Sequence, residues 1–154
     1  LGAADMRIDL GGIAKGYILD RARDEVRREG VGRVLLEAGG DIVVGDAPPD
    51  APGWRISVTT TDSLIIEGAR ALTNSALSTS GDTEQFVEID GVRYSHILDP
   101  RTGLGVTSGA MAWVLAPDAT LADALATTFT IVSDSARALL LKRFPSAVAA
   151  VRRR

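Results

Sequence analysis

Two side chains invite a chemical reading first: the single histidine, His96, and Lys15, one of two lysines among 17 basic residues. Lys15 stands in Asp9-Leu10-Gly11-Gly12-Ile13-Ala14-Lys15-Gly16-Tyr17, where paired glycines open a helix. Free N–H groups at a helix start favour an anion, and Gly11 and Gly12 let a ligand approach the backbone closely. The string does not match the phosphate loop G-x-x-x-x-G-K-S/T; its plain alternative is a tight turn entering a helix. Asp123 and Thr127 lie four apart and project from one helix face. A carboxylate and a hydroxyl oxygen suit a hard cation such as Mg2+, although an Asp early in a helix also serves the helix dipole.

His96 lies in Tyr94-Ser95-His96-Ile97-Leu98-Asp99-Pro100-Arg101-Thr102-Gly103. It is preceded by Thr79-Ser80-Gly81-Asp82-Thr83-Glu84-Gln85-Phe86. Hydroxyls and carboxylates thus lead into a hairpin that delivers the imidazole to a polar loop, where functional groups concentrate on a rigid scaffold. A lone histidine also serves as a structural residue. Glu37-Ala38-Gly39-Gly40-Asp41 places a double glycine between two strands, as a turn or a bulge.

The absence of cysteine excludes disulfides, Cys-ligated zinc, iron–sulfur clusters and a thiol nucleophile. One histidine excludes a multi-His metal motif, and any Ser-His-Asp triad would have to use His96. No G-x-S-x-G elbow is present, which disfavours a serine hydrolase. A net charge of −3 and 5% aromatic residues disfavour nucleic-acid binding. The 154 residues, 45% hydrophobic and 24% charged, suit one domain with a real core. No stretch approaches the ~20 apolar residues that span a bilayer. The chain begins at Leu1 without an initiator Met and reads as the interior of a longer protein.

These groups must be held by elements that the pattern also predicts. A helix runs from about Ile13 to Arg28, with Ile13, Tyr17, Ile18, Ala22 and Val26 as its buried stripe. Arg21–Glu25 supports its outer face, and Gly30 caps its end. Strands are expected at Arg33–Glu37, Asp41–Val44, Trp54–Thr59, Leu64–Ala71 and Ala76–Ser80. Gln85–Ile89 and Val92–Leu98 flank Asp90-Gly91, a preferred hairpin turn. A buried strand follows at Ala110–Ala116, then a helix from the Asp118 N-cap to about Val132. A helix at Ser135–Arg143 and a strand at Ala147–Val151 close the chain. The order predicts an α+β fold with a mixed, largely antiparallel sheet and packed helices.

Five strings in this order resemble the FAD:protein FMN transferase family, the ApbE-like flavin transferases: DLGGIAKGY (9–17), AGGD (38–41), TSGDTEQF (79–86), SHILDPRTG (95–103) and APDATLADALAT (116–127). The resemblance runs from about Arg7 to Thr127. It implies Mg2+-dependent cleavage of the FAD pyrophosphate and transfer of FMN to a Thr or Ser hydroxyl of a target protein, releasing AMP. Some members instead hydrolyse FAD to FMN and AMP. A third reading is a flavin-binding module without catalysis.

Carried over by position, the resemblance assigns Asp9 and Lys15 to FAD. The Gly12 carbonyl, Asp123 and Thr127 become metal ligands, and His96 becomes the catalytic histidine. Ile97 sits beside the flavin nucleotide, while Ser80 and Glu84 help to line the site. Phosphoryl transfer needs charge neutralisation and positioning, which Mg2+ and Lys15 would supply. His96 could act as general base. The nucleophile would come from the target, so no thiol is required.

The resemblance also implies a protein about twice this length. Residues 1–154 would form one domain, its C-terminal portion, and the N-terminal half would complete the flavin and adenine pocket. Thr83 stands where the family commonly has an aromatic, and the usual final strands after Pro145 are cut short by Arg152–Arg154. The implied place of work is the bacterial periplasm or the outer face of the cytoplasmic membrane.

Overall fold

A computed structural model describes residues 2, 8–57, 70–82 and 85–153. Helix α1 (Ala14–Arg28) leads into the hairpin β1 (Leu35–Ala38) and β2 (Asp41–Val44). Strands β3 (Trp54–Ile56), β4 (Arg70–Leu72), β5 (Ser75–Ser80), β6 (Phe86–Ile89), β7 (Val92–Ser95) and β8 (Met111–Ala116) follow. Helices α2 (Ala119–Ile131) and α3 (Asp134–Arg143) and strand β9 (Val148–Arg152) complete the chain.

The central sheet has the order β1-β2-β5-β8-β9, and all its ladders are antiparallel. The pairs β3–β4 and β6–β7 form separate two-stranded sheets. The α+β prediction therefore holds, with antiparallel pairing in every ladder among the described residues. Most expected strand ends shift by a residue or two, while β3 and β7 each end three residues early, at Ile56 and Ser95. Thr59, residues 64–69, Thr83, Glu84 and Arg154 lie outside the described residues.

Period-two alternation decides which sheet residues meet the helices. Val43 of β2, Ala76 of β5 and Ala112, Val114 and Ala116 of β8 share a core with Ala119, Ala122, Leu125, Ala126 and Phe129 of α2. The intervening Val44 and Leu77 turn to the other face, where they meet Ile56 and Leu72. Asp41 is two residues before Val43, and Ser78 and Ser80 follow Ala76 at the same spacing. Polar side chains are thereby carried onto the helix-covered face. Small alanines along α2 let it lie close to the sheet.

Helix α1 corrects the sequence expectation. Its buried residues are Gly16, Leu19 and Asp20, whereas Tyr17 and Ile18 are 56% and 62% exposed and Ile13 is also exposed. The helix is turned by its contact with α2: a side chain at Gly16 would run into the Ala119 carbonyl oxygen. Only glycine permits that approach, so the contact outweighs the apolar pattern. On the outer face, Glu25 pairs with Arg28 at 2.6 Å in place of the expected Arg21. The end is as predicted: Gly30 has φ +87°, its N–H bonds the Arg27 carbonyl, and the Val31 N–H bonds the Val26 carbonyl. These two bonds make a Schellman cap.

The Gly39-Gly40 and Asp90-Gly91 pairs close two-residue hairpins, with positive φ at both residues of each. Type I′ turns require that geometry. Strand β7 stops at Ser95 rather than Leu98 because Ser95 and Ile97 bond Val106 across the loop, leaving an isolated bridge between Leu98 and Gly105. Among the described residues no helix is long and apolar enough to cross a membrane.

Candidate active site

The sheet and two helices bring five of the expected residues to one place. Lys15, in the first turn of α1, reaches two carboxylates: its Nζ lies 2.7 Å from Asp41 Oδ2 and 3.4 Å from Asp123 Oδ1. Both carboxylates are fully buried. Asp41 Oδ1 accepts a bond from the Ser78 hydroxyl at 2.5 Å. Asp123 Oδ2 accepts the Gly16 N–H at 3.0 Å. One turn further along α2, Thr127 Oγ1 lies 3.1 Å from Ser80 Oγ. Gly12 presses on the same threonine: a methyl group there would come within 2.9 Å of Thr127 Cγ2.

Charge explains the arrangement. A buried carboxylate needs a partner, and one ammonium serves two. Burial acts to lower the Lys15 pKa, but hydrogen bonding and charge from Asp41, with Asp123 adding, outweigh it and raise the value. Asp123 is raised chiefly by burial, with Asp41 nearby adding to it, against the Gly16 N–H and Lys15.

Helix ends fix these positions. No side chain caps the start of α1 from its own N-cap residue, Ile13. Asp123 of α2 takes the Gly16 N–H instead. The start of α2 is capped by Asp118, as predicted, through the Leu121 N–H at 2.8 Å. It is capped again by Asp20 of α1, which accepts from the Ala119 and Thr120 N–H groups and the Thr120 hydroxyl.

Asp9 does not join the cluster through a hydrogen bond; its carboxylate accepts the Gly11 N–H at 2.7 Å and shapes the turn before α1. His96 and Ile97 stand apart on the segment after β7. Its alternation buries Ser95 and Ile97 and exposes His96 and Leu98. His96 Nδ1 lies 3.0 Å from the Gln85 carbonyl oxygen. A carbonyl only accepts, so this contact places the proton on Nδ1 and leaves Nε2 as the basic atom. Glu84 lies outside the described residues.

The sequence assigned no side-chain role to Asp41, Ser78 or Asp20. The signal for Asp41 was present: a carboxylate two residues from Val43 occupies the core face of its strand. Among the described residues, no group of three or more His, Asp or Glu forms a metal cluster. The oxygens at hand are the Asp123 carboxylate, the Thr127 hydroxyl and the Gly12 carbonyl. They share the hard character that Mg2+ prefers, and Gly12 is drawn close to Thr127 on the helix face that also carries Asp123.

Comparison with known proteins bears on the fold and the family. The chain is 32% identical over 133 residues to a Vibrio cholerae protein named FAD:protein FMN transferase, covering 84% of this chain and 40% of that one. It matches the solved ApbE protein of Thermotoga maritima with a TM-score of 0.80 and 36% identity, over 96% of this chain and 51% of that one. It matches the Pseudomonas stutzeri flavinyl transferase ApbE with a TM-score of 0.74 and 30% identity, over 95% and 46% of the two chains. The chain thus spans about half, or less, of these relatives. With the ApbE family profile running through residues 2–151, over a sheet and helices that superpose on solved ApbE chains, the chain belongs to the ApbE family.

Proposed function

We propose that this chain carries the pyrophosphate-handling part of an enzyme that transfers FMN from FAD to a Thr or Ser hydroxyl of a target protein, releasing AMP. The observation that carries the reading is the convergence of Lys15, Asp123, Thr127 and Gly12 in a chain whose relatives are named FAD:protein FMN transferase.

Asp123, Thr127 and the Gly12 carbonyl would hold Mg2+, which when bound would offset negative charge on the pyrophosphate oxygens. Lys15 would bind those oxygens as a second cation, and Asp9 would orient FAD beside it. Ile97 would sit beside the flavin nucleotide, and Ser80 and Glu84 would help to line the site. His96 Nε2 would take the proton from the acceptor hydroxyl. That oxygen bonds the FMN phosphorus, the bond from this phosphorus to the bridging oxygen breaks, and AMP leaves with the bridging oxygen. The exposure of His96 also admits water to the same role, which would give FMN and AMP. By the same family relation, the proposed place of work is the bacterial periplasm or the outer face of the cytoplasmic membrane.

The test incubates the full-length protein with FAD, Mg2+ and a Thr-containing target protein. A flavin-labelled target supports transfer, whereas free FMN and AMP alone support hydrolysis. Asp123→Ala should abolish either activity; unchanged turnover sinks the metal assignment.

A further inference from the structure

Lys15 does not divide itself evenly between its two carboxylates. The 2.7 Å contact to Asp41 is a strong charge-assisted hydrogen bond, while 3.4 Å to Asp123 is at the limit of one. Asp41 is also the better fixed of the two. Its other oxygen is held at 2.5 Å by Ser78 of β5, one residue beyond the last β2–β5 pair, Ile42 with Leu77. The Lys15 stem passes over the hairpin turn, where a methyl group on Gly39 would lie 3.7 Å from its Cδ. Asp123 has given Oδ2 to the Gly16 N–H, so Oδ1 is its only oxygen facing the ammonium.

We infer that Asp41, backed by Ser78, is a positioning residue that anchors Lys15 and so keeps Asp123 Oδ1 available to a divalent cation. The second half rests on the metal reading proposed above. Two carboxylates and one ammonium leave one negative charge in a buried place, which a cation at Asp123 would offset. If Asp41 lets go, the ammonium moves onto Asp123 and occupies the oxygen the cation needs. Loss of Asp41 should therefore weaken cation binding although Asp41 does not touch the cation.

A double-mutant cycle on the full-length protein tests this, with Mn2+ as probe and free ion measured by electron paramagnetic resonance. Asp41→Asn should raise the Mn2+ Kd roughly tenfold in the wild-type background, the scale of one charge-assisted bond. In the Lys15→Met background the same substitution should have little effect, because no ammonium remains to block Asp123. An equal loss in both backgrounds would make Asp41 a direct ligand or a general source of field, and would overturn the inference. So would no loss in either.

The anchor has its own readout. In protein labelled with 15N-lysine, the Lys15 ammonium signal should be protected from exchange, lose that protection in Asp41→Asn and retain it in Asp123→Asn. Ser78→Ala should act in the same direction as Asp41→Asn, more weakly, which keeps the test open if Asp41→Asn misfolds. A Lys15 signal indifferent to both changes overturns the anchor. If the wild type takes up no Mn2+, the metal reading fails and the availability of Asp123 fails with it, while the ammonium spectra still decide the anchor.

Discussion

Asp20 and Asp123 cap each other's helices. Asp20 leaves α1 to accept two N–H groups and a hydroxyl at the start of α2, and Asp123 leaves α2 to accept the Gly16 N–H at the start of α1. Each carboxylate meets the positive end of the partner helix. The exchange fixes how far along one another the two helices lie, and so which residues meet Lys15.

Asp20→Ala should destabilise the fold. It strips partners from the Ala119 and Thr120 N–H groups at a buried helix start, a loss of about 1–3 kcal/mol. Asp118 remains as a cap, so α2 should persist. Urea unfolding should show a lower midpoint with an unchanged slope, and circular dichroism should show native helix content.

Gly16→Ala should separate α1 from α2. The new methyl group would meet the Ala119 carbonyl and lie 2.9 Å from Asp123 Cβ. Overpacking of this kind costs about 1–3 kcal/mol, despite the better helix propensity of alanine. Differential scanning calorimetry should find a lower Tm, and Mn2+ affinity should fall because the Gly16 N–H no longer orients Asp123.

His96→Ala should leave the fold intact, since the ring is exposed and makes one described hydrogen bond, to Gln85. If Nε2 is the base, kcat should fall by roughly 10²–10⁴-fold, the usual range for a positioned acid or base. The KM for FAD should stay close to wild type. Steady-state kinetics of the full-length protein at neutral pH would decide, and a variant that keeps most of its kcat removes His96 from the proton transfer.

Asp99 should titrate well below an ordinary aspartate. Hydrogen bonds from the Arg101 side chain, then from its backbone N–H, hold its carboxyl at about 2 against 3.8. A carboxylate lowered in the folded state adds stability that is complete above 3.8 and is lost as pH falls through about 2. Carbonyl 13C titration of Asp99 should find the low midpoint, and Arg101→Ala should move it back toward 3.8.

The sequence made the turns and caps legible because their chemistry is local. A double glycine or Asp-Gly between two strands leaves few alternatives to a hairpin, and Gly30 and Asp118 mark helix ends through bonds to residues a few positions away. Asp123 and Thr127 were readable as a pair because helical spacing alone puts them on one face. The orientation of α1 was not legible. Ile13, Tyr17 and Ile18 read as core by their spacing, whereas the residues that α1 buries are Gly16, Leu19 and Asp20. The partners of Asp41 were hidden for another reason: it meets Lys15 across 26 residues and Ser78 across 37. No local pattern states which distant strand or helix will supply such partners.

The contact between Lys15 and Asp123 spans 108 positions of a 154-residue chain. Closing a loop of that size costs more chain entropy than closing a local hairpin or helix turn. The cluster therefore needs α1 and α2 both formed and docked. A ligand that bridges α1 and α2 would bind the native state alone and stabilise it by mass action. Its occupancy would then serve as a gauge of global folding, and during synthesis the site would open for business only after α2 had emerged and docked.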